Sequence, residues 1–158
     1  MKGLAVKVSG FMHSDLPSIV AVEGLGHIKN SFKKQGFTDR SFVKWKARKT
    51  TDSHGRDRTR YRSSRIGKKG SLTRYGRTLQ ERPILTGHAS AGNKLRNSFT
   101  AKKSPERVSF VTYKQYAKRH NEGLNGMPKR KFVGRSDELE KQIEKKIEKQ
   151  LHIIFNKK

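Results

Sequence analysis

The sequence predicts an α+β fold in a single domain, 1–158: a small antiparallel sheet packed against an N-terminal and a C-terminal helix, with a long basic loop. Three observations lead there. Apolar residues recur at spacings of three and four near both ends of the chain, over 16–32 and 139–154. Two short alternating runs flank Ser104-Pro105-Glu106. Between 49 and 81 apolar content collapses and arginine accumulates.

In chain order, residues 1–13 read as a short strand or an unstructured arm, because Leu4, Val6 and Val8 alternate with Ala5, Lys7 and Ser9. Ser14 and Asp15 are capping residue types, and Pro17 suits a first helical turn, where its missing N–H costs nothing. The helix they open carries Leu16, Ile19, Val20, Leu25, Ile28 and Phe32 on one stripe, with Gly36 as its expected C-cap. Gly24 and Gly26 interrupt it, weakening it or letting another element approach closely. Phe42, Val43 and Trp45 mark a further apolar piece. From Lys49 to Arg77, ten Lys or Arg stand against two Asp. This segment reads as a loop within 49–81, mobile for want of apolar anchors.

Order is expected again from Pro83, with a helix somewhere in Ile84–Ser98. Strands follow at Phe99–Lys103 and Arg107–Tyr113, then a helix over Lys114–Glu122 stopped by Gly123, and an extended piece at Lys129–Val133. The last element is the clearest. Ser136 caps it, Asp137 and Glu138 sit at its positive end, and Leu139, Ile143, Ile147, Leu151 and Ile154 form a narrow stripe. Asp137 and Glu138 with Lys141, and Lys145 with Glu148, are neighbouring opposite charges. The narrow stripe predicts packing on a sheet or on a partner subunit.

Charge bounds the function. The chain has 38 Lys+Arg against 13 Asp+Glu, a net +25, and only 31% apolar residues. Such a chain builds a modest core and calls for a polyanionic neighbour, nucleic acid or an acidic protein surface. No run of about 18 apolar residues is present, so no membrane partner is expected. Lys2 is not followed by an apolar stretch of about 7–15 residues, so no secretory leader is expected. The absence of cysteine excludes disulfides, thiolate zinc sites and cysteine nucleophiles.

The sequence holds no complete catalytic constellation. The six histidines (His13, His27, His54, His88, His120 and His152) lie far apart, and His120 and Glu122 fall on different faces of a helix, so no metal ligand set or other cofactor is expected. Gly87-His88-Ala89-Ser90-Ala91-Gly92 misses the G-x-S-x-G frame of a nucleophile elbow by one position. Gly67-Lys68-Lys69-Gly70-Ser71 lacks the phosphate-loop spacing and a preceding strand. Five of the 13 acids lie among lysines on the last helix, and the rest are scattered. The expectation is a protein that is not an enzyme. Nucleic-acid contact has a more concrete basis: Arg56, Arg58, Arg60, Arg62, Arg65, Lys68, Lys69, Arg74 and Arg77 are interleaved with Tyr61 and Tyr75, cations for phosphates and rings for bases.

The second half holds a more particular string. Tyr116-Ala117-Lys118-Arg119-His120-Asn121-Glu122-Gly123 reads Y-A-x-x-H-x-x-G, and Pro128 to Gly134 reads P-x-R-x-F-x-G, through Arg130 and Phe132. Upstream stand Leu85-Thr86-Gly87 and Leu95-Arg96-Asn97-Ser98. These stretches resemble the phage virion morphogenesis family, the tail completion proteins of tailed bacteriophages and prophages, well over 83–150 and loosely over 15–48. The chain differs from that pattern in the seven residues His88–Lys94 and in Lys131, where proline is common in the family.

The resemblance implies a small α+β subunit that forms a homo-oligomeric ring, a hexamer being one option. The ring would contact phage neck, tail terminator or tail tube proteins, with DNA in its channel. Its locations would be the host bacterial cytoplasm during assembly, then the virion at the head–tail junction or tail end. Gly123 and Gly134 suit turns, Tyr116 and Phe132 suit core or interface anchors, Arg130 has Glu122 as an expected partner, and His120 is expected to bond across the turn. Two other classes compete: a non-specific nucleic-acid binder using 49–81, and a phosphoester-cleaving enzyme, which rests only on charge and scattered histidines.

Overall fold

The computed structural model describes residues 2–48, 54, 70–86 and 94–156. Its first 33 described positions form one helical run rather than an arm followed by a helix: α1 (Lys2–Gly10), a π turn (Phe11–Asp15) and α2 (Leu16–Lys34). The expected start at Ser14-Asp15 is absent because Asp15 is itself helical (φ −74°, ψ −43°) and its side chain caps nothing. Pro17 sits inside the run. Its ring would clash with the carbonyl four residues back and its N–H is missing. The π turn widens the backbone just before it, and the Leu16 N–H reaches the Phe11 carbonyl, five residues back. The period-two pattern of Leu4 and Val6 therefore reports no strand; both are exposed.

Gln35, not Gly36, ends α2 in the left-handed region (φ 56°). Gly36 instead opens β1 (Gly36–Thr38), which pairs antiparallel with β2 (Phe42–Lys44). A Cβ at Gly36 would overlap the Phe42 ring and crowd the Val43 carbonyl, so the close hairpin needs this glycine. The Gln35 side chain offsets its own strained backbone. Its Nε2 donates to the Phe32 carbonyl (2.6 Å) and the Ile84 carbonyl (3.2 Å), and its Oε1 accepts from the Ile84 N–H.

Within the region expected to be loop, Arg74–Glu81 is a helix, α3, capped by Thr73, whose Oγ1 accepts from the Gly76 N–H at 3.2 Å. The rest of the basic block, 49–69 except His54, lies outside the described residues. Of the expected helix over Ile84–Ser98, 87–93 lies outside the described residues, and the described part holds one 3-10 turn at Leu95–Asn97. Leu85 in the left-handed region (φ 62°) prevents a helix from starting at Ile84.

β3 (Phe99–Lys103) and β4 (Val108–Thr112) form the second antiparallel pair, with Ala101 opposite Phe110. Ser104 closes the turn, its N–H donating to the Arg107 carbonyl at 2.8 Å. The fold is α+β as expected, and among the described residues its strands form two separate two-stranded antiparallel sheets. The second lies on α2, where Phe110 occupies the space that a Cβ on Gly24 would fill; Gly26 faces open space.

α4 (Tyr116–Glu122) ends at Gly123 (φ 76°). Lys129–Val133 makes no strand pairing among the described residues; its polar backbone is bound by side chains instead. α5 (Asp137–Asn156) starts under Ser136, whose Oγ accepts from the Leu139 N–H (3.1 Å) and donates to the Thr38 carbonyl (2.8 Å). α5 packs mainly on α2, with a Glu23–Lys146 ion pair across the seam, and none of its residues is buried. The core is Ile28, Phe32, Trp45, Leu95, Ala117 and Phe132. Phe32 is its hub, with Trp45 and Phe132 ring centroids at 5.4 and 5.1 Å.

Candidate functional site

The motif residues converge on Phe132. This ring is 1% exposed and packs against Phe32, Phe99 and Trp45. Burying such a ring contributes about 1.5–3 kcal/mol, but only if the flanking backbone is hydrogen-bonded. Asn121 on α4 meets that need. Its Oδ1 accepts from the Phe132 N–H (2.9 Å) and the Val133 N–H (3.0 Å), and its Nδ2 donates to the Val133 carbonyl (3.1 Å). The Arg130 N–H donates to the His120 carbonyl at 2.8 Å. Gly123 lets the chain turn back tightly enough for this, since a Cβ there would lie 2.9 Å from the Lys129 nitrogen. The two motifs are therefore the two halves of one clasp.

Arg130 is buried, and its partners are backbone carbonyls: Nε donates to Lys46 (3.1 Å) and Nη2 to Ala47 (3.4 Å). The expected pairing with Glu122 is not made; the guanidinium turns inward to the end of the β2 segment, whereas Glu122 stays at the surface. Burial, then the nearby Arg48 charge, pulls the Arg130 pKa below its usual value. Trp45, next to that segment, donates from Nε1 to the Lys131 carbonyl at 2.7 Å. His120 makes no side-chain bond across the turn: its Nδ1 is buried without a partner among the described residues. Burial, then the Arg130 and Arg119 charges, lowers its pKa and favours the neutral ring. Tyr116 is 43% exposed and meets His120 edge-on at 6.0 Å, so it is a surface residue rather than a core anchor.

From upstream, Leu95 and Ala117 join the core, and Ser98 Oγ bonds the Leu95 carbonyl (2.8 Å) and Thr112 Oγ1 (2.6 Å). Pro128 is half-buried, while Gly134 (φ 150°) is exposed beside the Lys131 side chain. Arg96 and Asn97 are exposed and face a groove beside α2. Gly87 lies outside the described residues, as do Arg56, Arg58, Arg60, Arg62, Arg65, Lys68 and Lys69. Arg74 and Arg77 are exposed on α3. Among the described residues no three His, Asp or Glu converge as a metal site. Asn121 and Gln35 carry much of the clasping and stand outside the motif positions; an amide two residues before a helix-ending glycine was the available signal for the first.

No protein-family model matches the chain, and neither does any curated protein or solved structure compared with it.

Proposed function

We propose that this chain is a structural subunit of tailed-phage particles, acting in tail completion or head–tail joining as a member of a ring. One observation carries the reading: the residues that resemble that family's motifs, Leu95, Ser98, Ala117, His120, Gly123, Arg130 and Phe132, meet in a buried clasp that closes backbone hydrogen bonds. Motif positions spent on holding a fold suit a mechanical subunit. Exposed apolar side chains on the N-terminal helical run (Leu4, Val6, Met12, Val22) and at the end of α5 (Phe155) suit a protein that its neighbours complete. The partners under this proposal are other copies and phage neck, tail terminator or tail tube proteins. Electron microscopy of the purified protein, with binding assays against the tail and neck proteins encoded beside it, tests the reading. Rings and a complex are expected; a monomer at high concentration that binds none of them refutes it.

A second reading is non-specific nucleic-acid binding. Arg74 and Arg77 are exposed on the same helix as Tyr75, which is 51% exposed. It predicts duplex affinity that falls steeply with salt and is lost when 49–81 is removed.

A further inference from the structure

A groove of about 440 Å³ lies beside α2, lined by Lys29, Phe32, Lys33, Pro83, Thr86, Arg96 and Asn97. Pro83 gives it an exposed apolar wall, with the buried Phe32 ring beneath. Its rim is cationic: Lys29 and Lys33 are one turn apart on α2, Arg96 faces them from the 3-10 turn, and all three are exposed. Among the described residues no carboxylate lines it.

The matching surface is on α5. Glu140, Glu144 and Glu148 recur every four residues and are exposed. Glu140 is engaged by Arg135 at 3.3 Å, whereas Glu144 and Glu148 make no ion pair among the described residues. Lys146, on another side of α5, pairs with Glu23 of α2, so the acidic stripe faces away from the body of its own subunit.

We propose that the α5 acidic stripe of a second copy docks along this groove, with Glu144 and Glu148 on Lys29 and Lys33. The registers agree: each pair spans four helical residues, about 6 Å along the axis. Arg96 closes the groove opposite the lysines. Groove and stripe are different surfaces of one chain, so the contact is head-to-tail and propagates into a ring or an open filament. A nucleic-acid strand fits less well, since the Phe32 ring beneath the groove is buried and no open ring is there for a base to stack on. The inference rests on the ring-subunit reading and names the contact that would build the ring.

Charge reversal tests it. The full-length K29E/K33E and E144K/E148K double variants, which alter only exposed side chains, are compared with wild type by sedimentation velocity in 0.15 M and 1 M NaCl, with circular dichroism confirming the fold. Each variant alone is expected to lose self-association, its dissociation constant rising at least about tenfold. An equimolar mixture is expected to re-associate, because each variant then meets a complementary face on the other. Variants that assemble like wild type, or a mixture that stays monomeric, overturn this contact and leave the ring-subunit reading standing. A wild type that is monomeric yet binds a tail or neck protein overturns the contact and the ring but not the role in assembly.

Discussion

Asn121→Ala is the sharpest test of the clasp. The substitution removes three hydrogen bonds of 2.9, 3.0 and 3.1 Å and leaves two N–H groups and a carbonyl of Phe132 and Val133 without partners. Phe132 is 1% exposed, so water cannot readily replace the amide there. At about 1 kcal/mol net per bond, the loss is about 3 kcal/mol. That is a large share of a fold whose total stability is expected at about 5–15 kcal/mol. The melting temperature should fall by about 6–12 °C, at about 2–4 °C per kcal/mol for a chain of this size. Asn121→Asp keeps the two accepted bonds and loses the donated one, and should cost about 1 kcal/mol, a third as much. Urea titration followed by circular dichroism reads both. A loss below about 0.5 kcal/mol for Asn121→Ala, the range of ordinary surface substitutions, would refute the clasp as a stabilising device.

Three further outcomes follow from other features. Gly24→Ala should destabilise by about 1–3 kcal/mol by overpacking against Phe110, whereas Gly26→Ala, facing open space, should stabilise by about 0.5–1 kcal/mol; urea midpoints of the two variants should move in opposite directions. Ser136→Ala removes the α5 cap and its bond to the Thr38 carbonyl, and should cost about 1–2 kcal/mol in thermal unfolding. His27 and His120 both have pKa values lowered from 6.5, chiefly by burial. The unfolded chain then binds protons that the folded chain does not, so stability is full above 6.5 and falls as pH drops below it. Urea midpoints from pH 8 to pH 5 check this, and a His27→Gln/His120→Gln variant should show a flatter profile over the same range.

Elements with local signals were legible. The β3–β4 pair and its Ser104 turn, the α5 cap at Ser136 and the stop at Gly123 are each specified within a few residues. The N-terminal run was not, because Pro17 next to Ser14 and Asp15 looks like a helix start. Only the π turn, which has no composition of its own, tells otherwise. α3 was hidden by its composition: its eight residues include two arginines and only Tyr75 and Leu79 as large apolar residues, too few to stand out inside a basic block. For the clasp, the positions could be read but not the partners. Arg130 finds carbonyls more than 80 residues upstream, and Gln35 reaches Ile84 across 49 residues, pairings that exist only after the chain has folded.

The wide turn at Phe11–Asp15 also has a consequence for what the N-terminus can touch. In an uninterrupted α-helix, Val6 would point within about 40° of Ile28, toward the interior. The extra residue turns everything before it by about 100°, and Val6 is 72% exposed. α1 is thus phased independently of α2: the body of the protein dictates where that helix begins, but not which side of it looks outward. A single-residue deletion after Phe11 would swing Leu4 and Val6 onto another bearing and turn the buried Phe11 with them.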